Sequence, residues 1–226
     1  MKSIGLLTIG QAPRPDGLAR DVAKILGEGI AVVERGALDG LDDDEITAMT
    51  PVEGDYPLIT MLNDRSSAVI AKRYILDRLQ SQIGNLEREH HVDATLLMCT
   101  GAFPVFQHQR PLVAPQDALY GTVAGLAGTG RIGAIVPLPS QVENARVKWS
   151  ELGILDPYID VSSPYGNDSL DATAAAAKRA HDAGATILFL DCFGFTLVMK
   201  AAAREAFNGP VVLARSMAAR YLAELL

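Results

Sequence analysis

The sequence predicts an α/β protein with mainly parallel sheet flanked by helices, in two related halves. Three observations carry this. Short β-rich runs alternate with longer stretches of helical period. Several of the short runs are apolar throughout, as strands buried on both faces are. Two pairs of runs also echo one another in the same order: Ile4-Gly-Leu-Leu-Thr-Ile-Gly10 with Ile132-Gly-Ala-Ile-Val-Pro-Leu138, and Ala94-Thr-Leu-Leu97 with Ala185-Thr-Ile-Leu188.

In chain order, strands are expected at 3–9, 30–34, 94–98, 131–136, 186–191 and 210–213. Helices are expected at 16–27, 66–90, 116–128, 140–152, 169–183, 196–207 and 214–225. The 169–183 helix is the clearest, with Asp168 and Ser169 offering caps, an alanine-rich interior, and Gly184 placed to close it. The spacing from Ile4 to Ala94 exceeds that from Ile132 to Ala185, so the first half carries an insertion, assigned to 36–65 and read as a surface excursion. Within it, Asp42-Asp43-Asp44-Glu45 reads as a capped, solvated helix start: adjacent carboxylates on a helix diverge, and no glycine is placed as in a calcium loop. The expected division is 1–115 plus 214–226 for the first lobe and 116–213 for the second.

The chain has 226 residues, 49% of them apolar, enough for a sizeable core. A formal charge of -7 and the lack of a Lys/Arg run argue against nucleic acid. The N-terminal apolar run is too short for a signal sequence, and no stretch approaches the roughly 20 apolar residues that span a bilayer. The expectation is a cytoplasmic protein with reduced thiols and no membrane partner. A homodimer is left open.

The two cysteines, Cys99 and Cys192, each sit just past an apolar run, at the carboxyl end of an expected strand, where open α/β sheets bind ligands. Backbone N–H groups at such a turn stabilise a thiolate and make it a base or nucleophile. The alternative is two small buried hydrophobes. Thr100 and Gly101 add a hydroxyl donor and a turn that lets backbone approach a carboxylate; Phe193 and Gly194 give the second turn a more apolar wall. The first strand–helix turn, Thr8 to Asp16, offers Thr8 and Gln11 as donors to an anion and Arg14 as a charge, or else is a surface loop set by Pro13 and Pro15. It lacks the glycine pattern of nucleotide loops. Ser140 is the corresponding donor, or a helix cap, in the second half. Asn63-Asp64-Arg65-Ser66 reads first as the N-cap of the 66–90 helix, through Asp64 or Ser66, and second as a ligand contact through Asn63 and Asp64. His90, His91, His108 and His181 have no zinc spacing with the cysteines, so no metal is expected. No one of them is selected as the partner of a Cys–His hydrolase.

Leu7-Thr-Ile-Gly10, Met61-Leu-Asn-Asp64, Leu96-Leu-Met-Cys-Thr100, Ile135-Val-Pro137 with Lys148-Trp149, and Leu190-Asp-Cys-Phe-Gly-Phe195 together resemble the AroM family of bacterial proteins, over nearly the whole chain. More distantly, the paired strand-end cysteines resemble the Asp/Glu/hydantoin racemase superfamily. That resemblance implies two pseudo-symmetric lobes with the active site in a cleft between them. It also implies cofactor-independent chemistry on a small carboxylate, with Cys99 and Cys192 as acid and base on opposite sides of an α-carbon. Racemases commonly follow the first cysteine with Asn-Thr and the second with Thr; here stand Thr100-Gly101 and Phe193, which argues against an ordinary amino-acid racemase. Two alternatives remain open: a binding or regulatory protein that keeps such a cleft without catalysis, and a one-cysteine lyase or hydrolase using Cys192 with Asp191 or a distant histidine.

Overall fold

The computed structural model describes residues 2–226. It divides into two compact units, Met1–Pro115 with Ala218–Leu226, and Gln116–Met217. The first unit contains β1 (Lys2–Thr8), α1 (Leu18–Leu26), β2 (Ile30–Gly36), α2 (Asp43–Thr47), β3 (Pro57–Met61), β4 (Ser67–Ala71), α3 (Leu76–Arg88), β5 (Ala94–Leu97) and β6 (Leu112–Val113). The second contains α4 (Gln116–Ala127), β7 (Ile132–Val136), α5 (Val142–Glu151), β8 (Tyr158–Val161), α6 (Ser169–Asp182), β9 (Ile187–Leu190), α7 (Leu197–Phe207) and β10 (Val211–Leu213). The closing helix α8 (Ala214–Ala223) starts in the second unit and ends in the first. Its first turn falls with the second unit, to which Arg215 is hydrogen-bonded at Phe193. Among the described residues, no helix is long and apolar enough to cross a membrane.

Each unit is built on a four-stranded parallel sheet, ordered β2-β1-β5-β6 in the first and β8-β7-β9-β10 in the second. The two orders map strand for strand, and so do the rungs. Ile4 pairs with Ala94 as Ile132 pairs with Ile187, and Leu7 with Leu97 as Ile135 with Leu190. The flanking bonds repeat as well: Asp93 N–H to Ser3 O matches Thr186 N–H to Arg131 O, and Thr95 N–H to Pro111 O matches Leu188 N–H to Pro210 O. The echo of Ile4-Gly5 in Ile132-Gly133 is therefore a structural repeat, whereas that of Ala94 with Ala185 is out of register by two residues, because the rungs match Ala94 to Ile187 and Leu97 to Leu190.

Packing explains why the echo keeps a glycine. A Cβ at Gly5 of β1 would lie 2.9 Å from Leu86 Cδ1 of α3, and one at Gly133 of β7 would lie 3.2 Å from Ala180 Cβ of α6. In both units the helix before the cysteine strand presses on the central strand, and only a missing side chain leaves room for it. The first core joins Leu7 and Leu97 to Ile83 and Leu86; the second joins Ile135, Leu188 and Leu190 to Ala176, Ala177 and Ala180. The alanine-rich face of α6 is what lets α7 pack closely, through Ala203 and Phe207. Gly184, at φ 82°, ends α6 in the left-handed conformation, and Ala185 N–H reaches back to Ala180 O at 3.0 Å.

Three expectations are corrected. The 66–90 helix is instead strand β4, a single 3-10 turn at Lys72–Tyr74, and α3. Val69 and Ile70 are β-branched and the run Ser67–Ala71 finds an antiparallel partner in Pro57–Met61, so extended pairing wins over the helical period. Residues 36–65 are not a surface excursion, because Ala37, Leu38, Ile46 and Leu58 are buried in the first core. Asp168 stands at the N-cap of α6, but its side chain makes no capping bond. The acidic start of α2 is as expected: Asp42 and Glu45 form a reciprocal capping box, and all four carboxylate residues are exposed. Strands β6 and β8, short and only half-buried, were not foreseen.

Candidate functional site: two strand-end thiols

In the first unit the last rung of the β5 ladder is Met98 N–H to Leu7 O, at 2.8 Å. One residue later the chain turns sharply, with Cys99 N–H bonded to Leu97 O. Gly101 N–H then donates to Cys99 Sγ at 3.3 Å. In the second unit Asp191 N–H bonds to Ile135 O at 2.9 Å, and Gly194 N–H donates to Cys192 Sγ at 3.3 Å. The same turn is thus built at the same register in both sheets. A main-chain N–H aimed at sulfur favours the thiolate over the thiol, the arrangement a general base needs. Both cysteines are thiols, not bridged. Cys99 is half-buried against the first core, and Cys192 is buried in the second.

Close approach favours glycine at both positions, and strictly so at Gly194. A Cβ at Gly101 would lie 3.0 Å from Leu58 Cδ2 and 3.4 Å from Cys99 Sγ. One at Gly194 would lie 2.5 Å from Pro164 Cγ and 2.7 Å from the Tyr165 hydroxyl. Thr100 is buried beside Cys99, and Phe193 is buried beside Cys192. Each turn also has a cation on its carbonyls. Lys72 Nζ donates to Ala102 O at 2.9 Å while stacking over the Tyr56 ring. The fully buried Arg215 donates from Nε and Nη2 to Phe193 O, at 3.0 and 2.8 Å, and from Nη2 to Gly194 O at 3.4 Å.

The turn after β1 lies beside the Cys99 turn, at the carboxyl end of the adjacent strand. Thr8 is fully buried, and its Oγ accepts from Gly10 N–H and Arg14 Nη1. Arg14 is buried: it pairs with Asp16 through Nη2 at 2.9 Å and Nε at 3.3 Å, and it donates to Thr60 Oγ1 at 3.3 Å. Its charge is committed to holding the loop. Gln11 is bonded at both ends of its amide, to Leu41 O and to Asn63 N–H. Asp39 accepts from Ala12 N–H and Gly36 N–H, which fixes the start of the same loop.

Asn63-Asp64-Arg65-Ser66 forms the β3–β4 hairpin turn, not the helix cap expected for it. Asp64 Oδ1 accepts from the Ser66 hydroxyl at 2.6 Å and its N–H at 2.8 Å, and Arg65 takes φ 74°. Those bonds, the hydroxyl's first, hold the Asp64 carboxyl below its ordinary range. Asn63 and Asp64 are exposed, as is Ser140 in the turn after β7.

Asp191 precedes Cys192 but serves the other face of the sheet. Leu188, Leu190 and Cys192 pack towards α6 and α7. Phe189 instead meets Tyr120 and Trp149, and the Tyr120 hydroxyl donates to Asp191 Oδ2. The alternation of a strand thus separates the carboxylate from the thiol.

The sequence reading did not find Arg215, Tyr165, Tyr120, Thr60 or Lys72. The one available signal was Arg215, a charge set among the apolar residues of β10 and α8.

The AroM protein family model matches residues 4–226. Among curated proteins, none matches the sequence. Among solved structures, the allantoin racemase from Klebsiella pneumoniae superposes with a TM-score of 0.62 at 14% identity, covering 100% of this chain and 87% of that one. The Picrophilus torridus aspartate racemase gives 0.61 at 14% identity, covering 99% and 95%. An arylmalonate decarboxylase gives 0.59 at 14% identity, covering 98% and 90%. These likenesses establish a racemase-like fold over the whole chain.

Proposed function

The chain belongs to the AroM protein family, and within it we propose a cofactor-independent, cysteine-dependent isomerase acting on a small carboxylic acid, with Cys99 and Cys192 as the paired acid and base. The observation that carries this reading is the matched thiol turn: two cysteines at equivalent rungs of a repeated sheet, each with the N–H of a glycine two residues on at 3.3 Å from its sulfur. The racemases and the decarboxylase with similar folds support it.

One thiolate takes the proton α to the substrate carboxylate, leaving an enediolate. The other thiol gives a proton to the opposite face of the same carbon. The protein ends with the second sulfur ionised and the first protonated, and no oxidant, reductant or metal is consumed. Such a proton is far less acidic than a thiol, so donors must meet the developing charge, and each good one is worth about 3 kcal/mol. Thr100 and backbone amides near Gly101 and Gly194, other than the two N–H groups that meet the sulfurs, are assigned to this task. The bonds that Thr8, Gln11 and Arg14 make within and across the loop suit them to hold it in place. Phe193, buried where racemases commonly carry threonine, favours a substrate with a less polar group on that side.

The one-cysteine reading with Asp191 as partner is less well supported, because Asp191 bonds to Tyr120 on the other face of the sheet from Cys192.

The test is exchange of the α-proton for deuterium, followed by NMR over a panel of small α-substituted carboxylates. Wild type exchanges at least one of them, and Cys99→Ser and Cys192→Ser each lose two-sided exchange while keeping the native circular dichroism. Full exchange in both variants would contradict the reading.

A further inference from the structure

We propose that the Ser162 hydroxyl is a substrate-binding group of the second unit, donating a hydrogen bond to the carboxylate of a ligand seated at the Cys192 turn. That the ligand is a carboxylate rests on the functional reading above; the unmet hydrogen-bonding capacity of Ser162 does not.

Ser162 follows β8, and its N–H adds one more rung to the sheet, to Val136 O at 3.0 Å. The residue is 5% exposed, and its Oγ has no hydrogen-bond partner among the described residues. A buried hydroxyl in that state forfeits the bonds to water that it makes in the unfolded chain, and calls for a partner from outside the folded one. The next residue shows the contrast: Ser163 Oγ accepts from Tyr165 N–H at 3.2 Å.

The side chain lies on the face of the sheet that carries Cys192. Asp160 and Leu190 flank Ile135 on one rung. Ile135, Leu190 and Cys192 share the core packed on α6, and Asp160 reaches Arg179 of α6 at 2.7 Å. Two residues past Asp160, the alternation of β8 returns Ser162 to this face. It stands at the carboxyl end of a parallel sheet, where such sheets take ligands. The chain that follows it stays with the thiol turn, since a Cβ at Gly194 would lie 2.5 Å from Pro164 Cγ. Asp160 is paired with Arg179, so it sets little net charge against an incoming anion.

The repeat supplies a control. Ala37 N–H bonds to Thr8 O in the first unit as Ser162 N–H bonds to Val136 O in the second. The same rung thus holds a methyl group in one unit, buried in its core, and a hydroxyl in the other. The fold does not need the oxygen. At the second unit it provides the donor that Phe193 cannot give from the thiol turn itself.

Ser162→Ala in the full-length protein tests this in two ways. Without ligand, the variant should melt at or slightly above the wild-type temperature, because it loses an oxygen that has no partner. Acetate, 2-methylbutyrate and phenylacetate, titrated calorimetrically, then probe binding. The wild type should bind at least one of them, and the variant should bind it about ten-fold more weakly, the loss of one hydrogen bond to a charged acceptor. A melting temperature several degrees below wild type would assign the hydroxyl to a structural water and overturn the proposal. Equal affinities in the two proteins, or no binding of any of the three by wild type, would overturn it as well. Binding that depends on Ser162 in a protein without α-proton exchange would contradict the functional reading and leave this inference standing. Full exchange with an unchanged affinity in Ser162→Ala would do the reverse.

Discussion

The Cys99 and Cys192 turns share a backbone and differ in everything that braces it. Both follow the third strand of a four-stranded parallel sheet, and both place a glycine N–H 3.3 Å from sulfur. The first is followed by Thr100 and held from outside the repeat, by Lys72 next to the inserted β3–β4 hairpin. The second is followed by Phe193 and held from within its own unit by Arg215, with Pro164 and Tyr165 packed on its glycine. Such a repeat fixes where a reactive atom sits, while the side chains brought by later segments set how polar and how rigid its surroundings are.

The largest effect that would separate the two units is at the first loop. Arg14→Met removes the cation paired with the buried Asp16 carboxylate, and should cost about 3 kcal/mol of stability. Denaturant unfolding measures this, and hydrogen exchange should localise the loss to the first unit. Gly194→Ala comes next, at about 2 kcal/mol, because the new methyl would meet Pro164 and Tyr165 well inside contact distance. Gly101→Ala should cost less, about 1 kcal/mol, since its closest neighbour is the flexible tip of Leu58 at 3.0 Å. Equal costs for the two alanines would erase the claimed difference in rigidity. The smallest effect is at Lys72→Met, which removes the hydrogen bond to Ala102 O and the charge over the Tyr56 ring, for about 1 kcal/mol. Amide exchange should then rise at Cys99–Phe103 and stay constant at Cys192–Phe195.

Much of the fold is legible in the sequence because parallel strands buried on both faces read as apolar runs. The echo of Ile4-Gly5 in Ile132-Gly133 reports a packing constraint, room for a helix over the central strand. The β3–β4 hairpin was not legible, since Ser67–Ala71 carries both a helical period and β-branched residues, and only its partner strand decides between them. The thiol turns were legible as cysteine, one residue, then glycine after a strand. Their braces were not. Arg215 is 22 residues from the carbonyl it grips, and Arg14 sits between two prolines where a solvated side chain looks the same as one buried against Asp16.

The central claim is that two matched thiols work on opposite faces of one carbon. Enantiomer-resolved exchange in deuterium oxide tests it most directly, on whichever carboxylate wild type turns over. Cys99→Ser should retain slow exchange of one enantiomer without inversion, and Cys192→Ser the same for the mirror enantiomer. Inversion at the wild-type rate in either variant, or loss of the same enantiomer's exchange in both, would contradict it.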